Sequence, residues 1–448
     1  MLYEFLQIAR EAAAPLCDQL YRELRRGIET GRLPAGEKLA SIREASAELS
    51  LSRTTVEAAY VRLCVEGYVE AKPQSGYRVR TVLPRRTKTI PPAAALPEYD
   101  FTTSSIDPEA ADLQNWRRLV RAVLADETAV TAYGDPQGEL ALRSALASYA
   151  FHARGVSAEP EDIFIGAGMG PLLQLLCPLF PHRPQVLMES PGFPQAELVF
   201  GDYGFPVDVG GKLPQSFPET EDAIAAELPS LRPPAQIAAA AAHREALLAW
   251  VIGGRGRYVL EDDYNGELHY RSRPTPAFQG MCPEKTIYLG SFSKLLLPSV
   301  RVAYMVLPTF LAETARARLP MLNQTAGKTE QAALAEYIRT GLLEKHLRRL
   351  RRLYAKKSQL LAEALEEVFG SACTYTLHET SLAFAVRFST DSSGEELCRL
   401  AREAGAACRP LPGTEGGAPE ILLGFSGIAA HKIHEGVEAL GRAWRPLL

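Results

Sequence analysis

Apolar residues recur at helical spacing in the first part of the chain. Four of them stand four positions apart and predict a helix between Pro15 and Thr30, namely Leu16, Leu20, Leu24 and Ile28. After the turn-rich stretch GRLPAGEKL, a second helix is predicted with Ser41 as its N-cap and a third with Ser52 as its N-cap. The run YVEAKPQSGYRVR then predicts two short strands around a turn. The pattern therefore indicates three helices and a hairpin over residues 1–82.

Beyond residue 100, helical stretches alternate with short apolar runs such as EDIFIGAG, PQVLMES, GRYVLEDD and KTIYLGS. This alternation is typical of an α/β fold with a mainly parallel sheet. A long amphipathic helical tract, QAALAEYIRTGLLEKHLRRLRRLYAKKSQLLAEALEEV, precedes the strand-like runs LAFAVRF and ILLGF, which predicts a smaller C-terminal subdomain. We expect this body to cover residues 100–448.

The stretch between the two patterns, LPRRTKTIPPAAALPEYD, mixes prolines, small residues and basic residues without an apolar period. Such a composition predicts a linker over residues 83–99 that is semi-rigid at Pro91 and Pro92. A chain of 448 residues is too long for one ordinary domain, which agrees with a head, a linker and a body.

Composition narrows the class of protein. With 46% hydrophobic and 23% charged residues, the chain has the composition of a globular protein. It contains no run of ~18 apolar residues and no signal-peptide pattern, so we predict a cytoplasmic protein without a membrane span. The seven cysteines are scattered, with no CxxC and no histidine cluster, which favours free thiols over a metal site or disulfides.

Charge is distributed unevenly along the chain, whose formal net charge is −4. Residues 1–90 hold 15 Lys and Arg against 11 Asp and Glu, whereas the remainder holds 34 against 42. A basic head on an acidic body suits nucleic-acid contact by the head.

The second and third predicted helices have the order of a helix-turn-helix. The third begins with the residues that a recognition helix presents to base edges and phosphates: Ser52, Arg53, Thr54 and Thr55. The hairpin offers basic residues for phosphate contact, namely Lys72, Arg78 and Arg80. The alternative is a small helical domain whose arginines are solvated, but the whole assembly favours DNA binding.

The same tract carries a family resemblance. Residues 19–79, QLYRELRRGIETGRLPAGEKLASIREASAELSLSRTTVEAAYVRLCVEGYVEAKPQSGYRV, resemble the winged-helix head of GntR-type bacterial transcription regulators. The chain departs from that family at Ala40, where proline is usual, and in the wing, where Gln74-Ser75-Gly76 replaces Gly-x-Gly. The resemblance implies that Arg43 and Arg53 contact DNA.

A glycine turn in the body predicts an anion site. In IFIGAGMGPLLQLL a strand is followed by Gly168, Met169 and Gly170, which open a helix whose backbone N–H groups and dipole suit a phosphate. Plain turn formation is the alternative. Phe193 follows the next strand, in VLMESPGFPQAE, where it either stacks on a ring or belongs to the core.

Two further tracts add a carboxylate and a lysine. YVLEDDYNGE predicts a strand ending in Asp262, Asp263 and Tyr264, at the carboxyl end where α/β folds bind ligands. Lys294 follows in GSFSKLLLPSVR, together with three candidate phosphate ligands, Ser291, Ser293 and Arg301. Pyridoxal phosphate (PLP) needs a lysine for an imine, an acid for the pyridine nitrogen, phosphate donors and a stacking ring. We therefore predict a PLP site, in which Tyr264 reaches the ring hydroxyl.

The body also resembles a known family. YGDPQGELALRSALASYAFHARGV, EDDY and SFSK with the following P.VR are similar to the motifs of fold-type-I aminotransferases. The resemblance implies that Asp262 pairs with the pyridine nitrogen and Lys294 forms the imine. It also implies a homodimer, in which Tyr133 reaches the phosphate of the partner subunit. Head, linker and body together resemble the MocR-like regulators.

Departures from the aminotransferase motifs concern substrate recognition. Leu422, in ILLGFSG, stands where aminotransferases carry the arginine that binds the substrate carboxylate. Arg409, in AACRPLPG, is a candidate replacement, and Gln195 matches an effector-contacting position that is arginine in some relatives. The loop PSLRPPAQ replaces one that usually ends in Pro-Thr-Gly. Cofactor binding is thus predicted, whereas recognition of ordinary amino acids is not.

These features favour a PLP-dependent transcription regulator that binds operator DNA through its head. Its body is predicted to sense an amine or amino acid, or PLP itself. The alternative is a working aminotransferase that carries a DNA-binding head and uses Lys294 as proton shuttle. A body that serves only as a dimerisation scaffold is a further alternative.

Overall fold

The computed structural model describes most of the chain in two compact units, Met1–Ala95 and Leu96–Leu448. The described residues are 6, 8–9, 14–72, 75–80, 97–102, 105–189, 193–210, 221–227, 237–263, 265–270, 275–377, 382–411 and 418–448. Several predictions concern residues outside this set: most of the linker 83–99, Gln74 of the wing, Tyr264, and the loop PSLRPPAQ. The boundaries 1–82, 83–99 and 100–448 stay predictions.

The head consists of three helices and a hairpin, as the sequence predicts. Its elements are α1 (Leu16–Glu29), α2 (Ile42–Leu49), α3 (Arg53–Val65), β1 (Val69–Lys72) and β2 (Gly76–Val79). A capping box starts α2, because Ser41 Oγ accepts from the Glu44 N–H at 3.2 Å and the Glu44 carboxylate accepts from the Ser41 N–H at 2.8 Å. One apolar core joins all of these elements and includes Leu20, Leu24, Val56, Tyr60 and Val79.

The larger part of the body alternates helices and strands. Its elements, in chain order, are β3 (Tyr99–Asp100), α4 (Leu113–Leu124), α5 (Glu127–Thr131), α6 (Leu140–Arg154), β4 (Ile163–Gly166), α7 (Met169–Leu176), β5 (Gln185–Glu189), α8 (Pro194–Asp202), β6 (Val207–Gly210), β7 (Asp222–Glu227), α9 (Ile237–Ile252), β8 (Gly256–Asp262), β9 (Thr286–Ser291), β10 (Ala303–Val306), α10 (Thr309–Arg318) and α11 (Lys328–Arg339). The alternation confirms the predicted α/β class.

Seven of the described strands form one sheet in the order β4-β10-β9-β8-β7-β5-β6. Within it, β10 runs antiparallel to both neighbours and the other strands are parallel to one another. Alternate residues of a strand point to opposite faces of the sheet, and helices cover both faces. In β4, Phe164 packs in the core that includes α7 and α8, whereas Ile163 and Ile165 pack in the core that includes α6 and α11.

A smaller C-terminal subdomain follows the sheet, as predicted. Its elements are α12 (Leu342–Phe369), β11 (Cys373–Leu377), β12 (Ala383–Phe388), α13 (Gly394–Glu403), β13 (Ala406–Ala407), β14 (Arg409–Pro410), β15 (Glu420–Gly424) and α14 (Ile433–Trp444). Four of these strands form an antiparallel sheet in the order β11-β12-β15-β14, and β13 pairs in parallel with β3.

A buried ion pair fastens the start of the body to this subdomain. Lys357 of α12 is fully buried, and its Nζ lies 2.8 Å from Asp107 Oδ2 and donates to the Ile428 carbonyl at 2.6 Å. Losing either partner would leave an uncompensated charge in the interior. The pair therefore keeps the segment around Asp107 attached to α12. In the part of the chain that is described, no helix combines the length and apolarity needed to cross a bilayer.

Candidate functional site

Three strand ends meet at one edge of the large sheet. Gly166 at the end of β4 pairs with Ala303 at the start of β10, which pairs with Ser291 at the end of β9. The adjacent strand β8 ends at Asp262, opposite Leu289 of β9. Because β4, β9 and β8 run in the same direction, their carboxyl ends share this edge, where α/β folds place ligands.

The glycine turn after β4 is built around a close approach by Arg301. Gly168 has φ 98° and precedes α7, and a Cβ on it would stand 2.2 Å from Arg301 Nη2. Arg301 Nη2 donates to the Ala167 carbonyl at 3.2 Å. Arg301 itself has φ 51°, a left-handed conformation that costs energy for a residue other than glycine. The strained backbone thus holds a guanidinium beside the N-terminus of α7.

The opposite side of the same turn is lined by α8. A Cβ on Gly170 would lie 2.9 Å from Gln195 Nε2, so the amide of Gln195 rests against the first turn of α7. Met169 begins α7, and Phe193, half-buried, is the N-cap of α8. Backbone N–H groups at the start of α7, the guanidinium of Arg301 and the amide of Gln195 are therefore neighbouring hydrogen-bond donors, a set that suits a phosphate.

Lys294 follows the end of β9. The Ser293 N–H donates to Ser291 Oγ at 3.2 Å, which orders the two serines before the lysine. Lys294 is half-buried, and this burial lowers the pKa of its ammonium to about 8, an effect that the negative charge of Asp100 opposes. A lysine in this state is a neutral amine in a larger share of molecules at neutral pH than an exposed lysine. Asp100, in β3, was not recognised from the sequence because it stands at the edge of the predicted linker.

Asp262, the last residue of β8, has a buried carboxyl group. Its Oδ1 accepts no hydrogen bond from any described residue. Burial, and secondly the charge of Asp263, raises the pKa of Asp262 to about 8. A buried acceptor of this kind is costly unless a donor reaches it. A protonated pyridine N–H is a donor of the right charge, so this carboxylate fits the ring of PLP.

Asp263, the next residue, has both an ion-pair partner and a hydrogen-bond partner within the fold. Its Oδ2 lies 2.6 Å from Arg154 Nε and accepts from the Tyr288 hydroxyl at 2.9 Å. Gly266 makes room for this pair, because a Cβ there would stand 2.0 Å from Asp263 Oδ1. Arg154 and Tyr288 were missed by the sequence analysis. The available signal was the acidic doublet itself, since two adjacent buried carboxylates require at least one counter-charge.

Of the two candidate effector residues, Gln195 lies on α8 and Arg409 on the small sheet. Arg409 of β14 is exposed and stands opposite Leu422 of β15, which in turn is opposite Ala385 of β12. Residues directly opposite in an antiparallel pair share one face of the sheet. The arginine predicted as a replacement therefore projects from the same face as the leucine that it would replace.

Tyr133 is fully exposed in the single chain, with 103% of its reference surface accessible. The adjoining Ala132 carbonyl accepts from Lys328 Nζ at 3.4 Å, which sets this segment beside the start of α11. Met321, shortly before α11, is 91% exposed. Tyr133 and Met321 are thus two large apolar side chains that the single chain leaves exposed to solvent.

The predicted DNA-contacting residues lie on the head as follows. Arg43 and Arg53, in the first turns of α2 and α3, are exposed. The Ser52 hydroxyl caps α3 by accepting from the Thr55 N–H at 3.1 Å and also lies within hydrogen-bond distance of the Thr54 and Thr55 hydroxyls.

Two of the three basic residues of the hairpin already have partners within the head. Lys72 Nζ lies 2.9 Å from the Glu70 carboxylate, and Arg78 Nη1 donates to the Gly36 carbonyl at 2.9 Å. Arg80 is exposed. Arg80 and the two arginines at the helix starts, Arg43 and Arg53, are thus more available to DNA than Lys72 and Arg78.

Fold and site together define a class: a winged-helix head joined to an aminotransferase-type body. The gntR family of bacterial regulatory proteins matches residues 16–79, and the family of class I and II aminotransferases matches residues 98–213. The HTH-type transcriptional regulator YhdI of Bacillus subtilis is 32% identical over 459 residues, which cover 98% of each chain. The chain therefore belongs to the MocR-like subfamily of GntR transcription regulators.

Two further proteins illustrate the two halves of this class. The pyridoxine biosynthesis regulator PdxR of Corynebacterium glutamicum is 30% identical over 361 residues, covering 78% of this chain and 79% of PdxR. The α-aminoadipate aminotransferase LysN of Thermus thermophilus, solved with N-(5'-phosphopyridoxyl)-L-leucine, superposes with a TM-score of 0.65 at 26% identity. That superposition covers 78% of this chain and 92% of LysN.

Proposed function

We propose that this transcription regulator holds PLP on Lys294 and changes its affinity for operator DNA when an amine or amino acid occupies the same site. The observation that carries the proposal is the buried Asp262 carboxylate, whose Oδ1 has no partner among the described residues. Such an acceptor at the carboxyl edge of the sheet fits a cationic ring nitrogen. When bound, PLP supplies an electron-withdrawing ring and an aldehyde that reacts with amines.

Each residue of the site would bind a different part of PLP. Lys294 would hold the cofactor covalently, and Asp262 would keep its ring nitrogen protonated. Arg301, Ser291, Ser293 and the first turn of α7 would hold the phosphate, with Gly168 and Gly170 leaving room for the Arg301 guanidinium and the Gln195 amide. Phe193 would stack on the ring, and Tyr264 would contact the ring hydroxyl.

A homodimer is part of the proposal. Tyr133 is fully exposed in the single chain, and the aminotransferase resemblance assigns it to the phosphate of a partner subunit. Two heads in one dimer would favour operators with repeated half-sites, since a symmetric protein contacts symmetric DNA. An effector alters DNA binding only if it favours one arrangement of the dimer over another.

Two observations bear on what occupies the site. Arg409 is an exposed cation opposite Leu422, which supports binding of an effector carboxylate and leaves slow transamination as a second candidate function. PdxR, by its name a regulator of pyridoxine biosynthesis, supports the variant in which PLP itself is the effector. Turnover of amino and keto acid pairs would identify an enzyme, and a titration of DNA binding with PLP alone would identify a cofactor sensor.

The deciding experiment compares the full-length protein with Lys294→Ala. We expect the wild type to retain visible absorbance after gel filtration and to change its spectrum and its DNA affinity with an active amine. Lys294→Ala should lose both responses. Lys285→Ala is the matched control, because Lys285 stands at the opposite, amino end of the same strand β9. An unchanged effector response in Lys294→Ala would show that the mechanism is wrong.

A further inference from the structure

The long helix α12 carries an unusual concentration of positive charge in its first half. The tract from 345 to 357, KHLRRLRRLYAKK, contains seven Lys and Arg and no Asp or Glu, although the body as a whole is acidic. Three of the seven are used inside the fold: Lys357 pairs with Asp107, Arg349 donates to the Glu109 and Ala110 carbonyls, and Arg351 donates to the Glu267 carbonyl. Four remain.

These four residues form a single exposed line, which we call the basic stripe: Lys345, Arg348, Arg352 and Lys356. They stand three or four positions apart, so they lie on one face of the helix. Among the described residues, none of the four has an acidic side chain within 4 Å. The stripe extends over about 16 Å at 1.5 Å per residue.

The stripe differs from the other exposed helix faces of this protein. On α13, Arg399 pairs with Glu396 and Glu403, and on α11, Arg339 pairs with Glu336. On α12 two successive i,i+4 pairs of the stripe, Arg348 with Arg352 and Arg352 with Lys356, are instead like charges, which repel and destabilise a helix. Glu344 stands four positions before Arg348 but lies more than 4 Å from its guanidinium. The acidic residues in the second half of α12 do not compensate, since Glu363, Glu366 and Glu367 bond to Gln359, Tyr375 and His434. Among the described residues, this face therefore has no acidic side chain in an ion pair with it.

We propose that the basic stripe of α12 is a second DNA-binding surface, which contacts phosphates outside the bases that the winged helix reads. One strand of DNA carries about five phosphates over the length of the stripe, at roughly 3.4 Å each along the axis. DNA is the polyanion that a GntR-type head brings to this chain. Since both surfaces belong to one chain, even a weak second contact adds to affinity as an intramolecular event.

The test measures binding of full-length protein to a mixed-sequence duplex of about sixty base pairs, because phosphate contacts carry no sequence information. The stripe variant combines K345Q, R348Q, R352Q and K356Q. Its control removes the same charge from four exposed arginines elsewhere on the body, R255Q, R402Q, R442Q and R445Q. Affinity is followed by fluorescence anisotropy between about 50 and 200 mM KCl, where counterion release dominates. Circular dichroism melting of both variants checks the fold.

The stripe variant should bind at least about tenfold more weakly at 100 mM KCl, with a salt slope shallower by about three, since each phosphate contributes about 0.9. The control should stay within about threefold of wild type because distant charges are screened. Equal losses in both variants, or a wild-type slope in the stripe variant, would overturn the proposal. A stripe-dependent change in oligomeric state by light scattering, with DNA binding unaltered, would assign the stripe to a second copy and also overturn it.

Discussion

The head and the body of this regulator handle charge in opposite ways. In the head, Arg43 and Arg53 stand at the exposed starts of two helices, in contact with water. In the body, Asp262, Asp263 and Arg154 are buried at the edge of the sheet. An exposed cation exchanges water and ions for a phosphate at little cost, whereas a buried ionisable group requires a charged partner or takes its neutral form.

The difference teaches how each unit depends on its ligand. The head reaches its fold through local caps and an apolar core, so DNA adds to a structure that is already complete. The body contains one carboxylate, Asp263, that has found its partner in the chain, and another, Asp262, that lacks one on Oδ1 among the described residues. We expect substitutions to be costly in the body and mild in the head.

The largest effect is expected from Arg154→Met. It leaves Asp263 buried without its cation, which should lower the free energy of unfolding by about 3–5 kcal/mol. Urea denaturation measures the loss. Arg339→Met is the control, because Arg339 is exposed and its pair with Glu336 should contribute less than about 1 kcal/mol. If both variants lost a similar free energy of unfolding, buried and exposed ion pairs would contribute equally to stability and the proposed contrast would be wrong.

Asp262→Asn should weaken PLP binding by about 2–4 kcal/mol, because the amide keeps the shape of the side chain and removes the charge that faces the ring nitrogen. Absorbance titration of cofactor-free protein gives the affinity. Asp222→Asn, at the amino end of β7, is the control and should bind PLP as the wild type does. Wild-type affinity in Asp262→Asn would mean that another acid faces the ring.

The stability of the cofactor-free protein should depend on pH through the buried Asp262, unlike through the exposed charges of the head. The pKa of Asp262 is raised to about 8 in the fold, chiefly by burial, so between the ordinary carboxyl pKa and pH 8 the folded chain binds more protons than the unfolded one. The contribution of Asp262 to stability should therefore fall as pH rises, by about 1 kcal/mol per unit between roughly pH 5 and 7. Urea midpoints of wild type and Asp262→Asn should diverge over this range, and parallel curves would contradict the assignment.

The smallest effect is expected in the head. Arg53→Gln should weaken operator binding by about 1.5 kcal/mol, roughly tenfold, if Arg53 contacts a base edge. PLP affinity and the unfolding transition should not change. Arg22→Gln, an exposed substitution on α1, is the control for loss of charge. A stability loss in Arg53→Gln comparable to that of Arg154→Met would show that the two units do not differ in the proposed way.

Local signals made the head predictable. The caps at Ser41 and Ser52 act over three residues, so the sequence window that contains them also contains their partners. The α/β alternation of the body was predictable for the same reason, because strand and helix periods are local. The antiparallel direction of β10 was not, since it depends on which strands become neighbours in the sheet.

Tertiary structure separated the two adjacent aspartates. Resemblance selected Asp262 for the cofactor, but no local pattern distinguishes it from Asp263 in EDDY. The fold does, because Arg154 lies 109 positions away in sequence from Asp263 and Tyr288 lies 25 away, and both reach it. Asp262 is the last residue of β8 and Asp263 the first beyond it, and only Asp263 meets these partners, whereas Asp262 Oδ1 has none among the described residues.

By itself, then, the sequence determined the winged head, the α/β body and the residue types of a phosphate, lysine and carboxylate site, because each is written in a short pattern. Only the tertiary structure decided which charges are compensated. It placed Arg301 against Gly168, set Arg409 opposite Leu422 and left the basic stripe of α12 without acidic partners among the described residues. Compensation depends on distances between residues far apart in the chain, and folding alone brings those residues together.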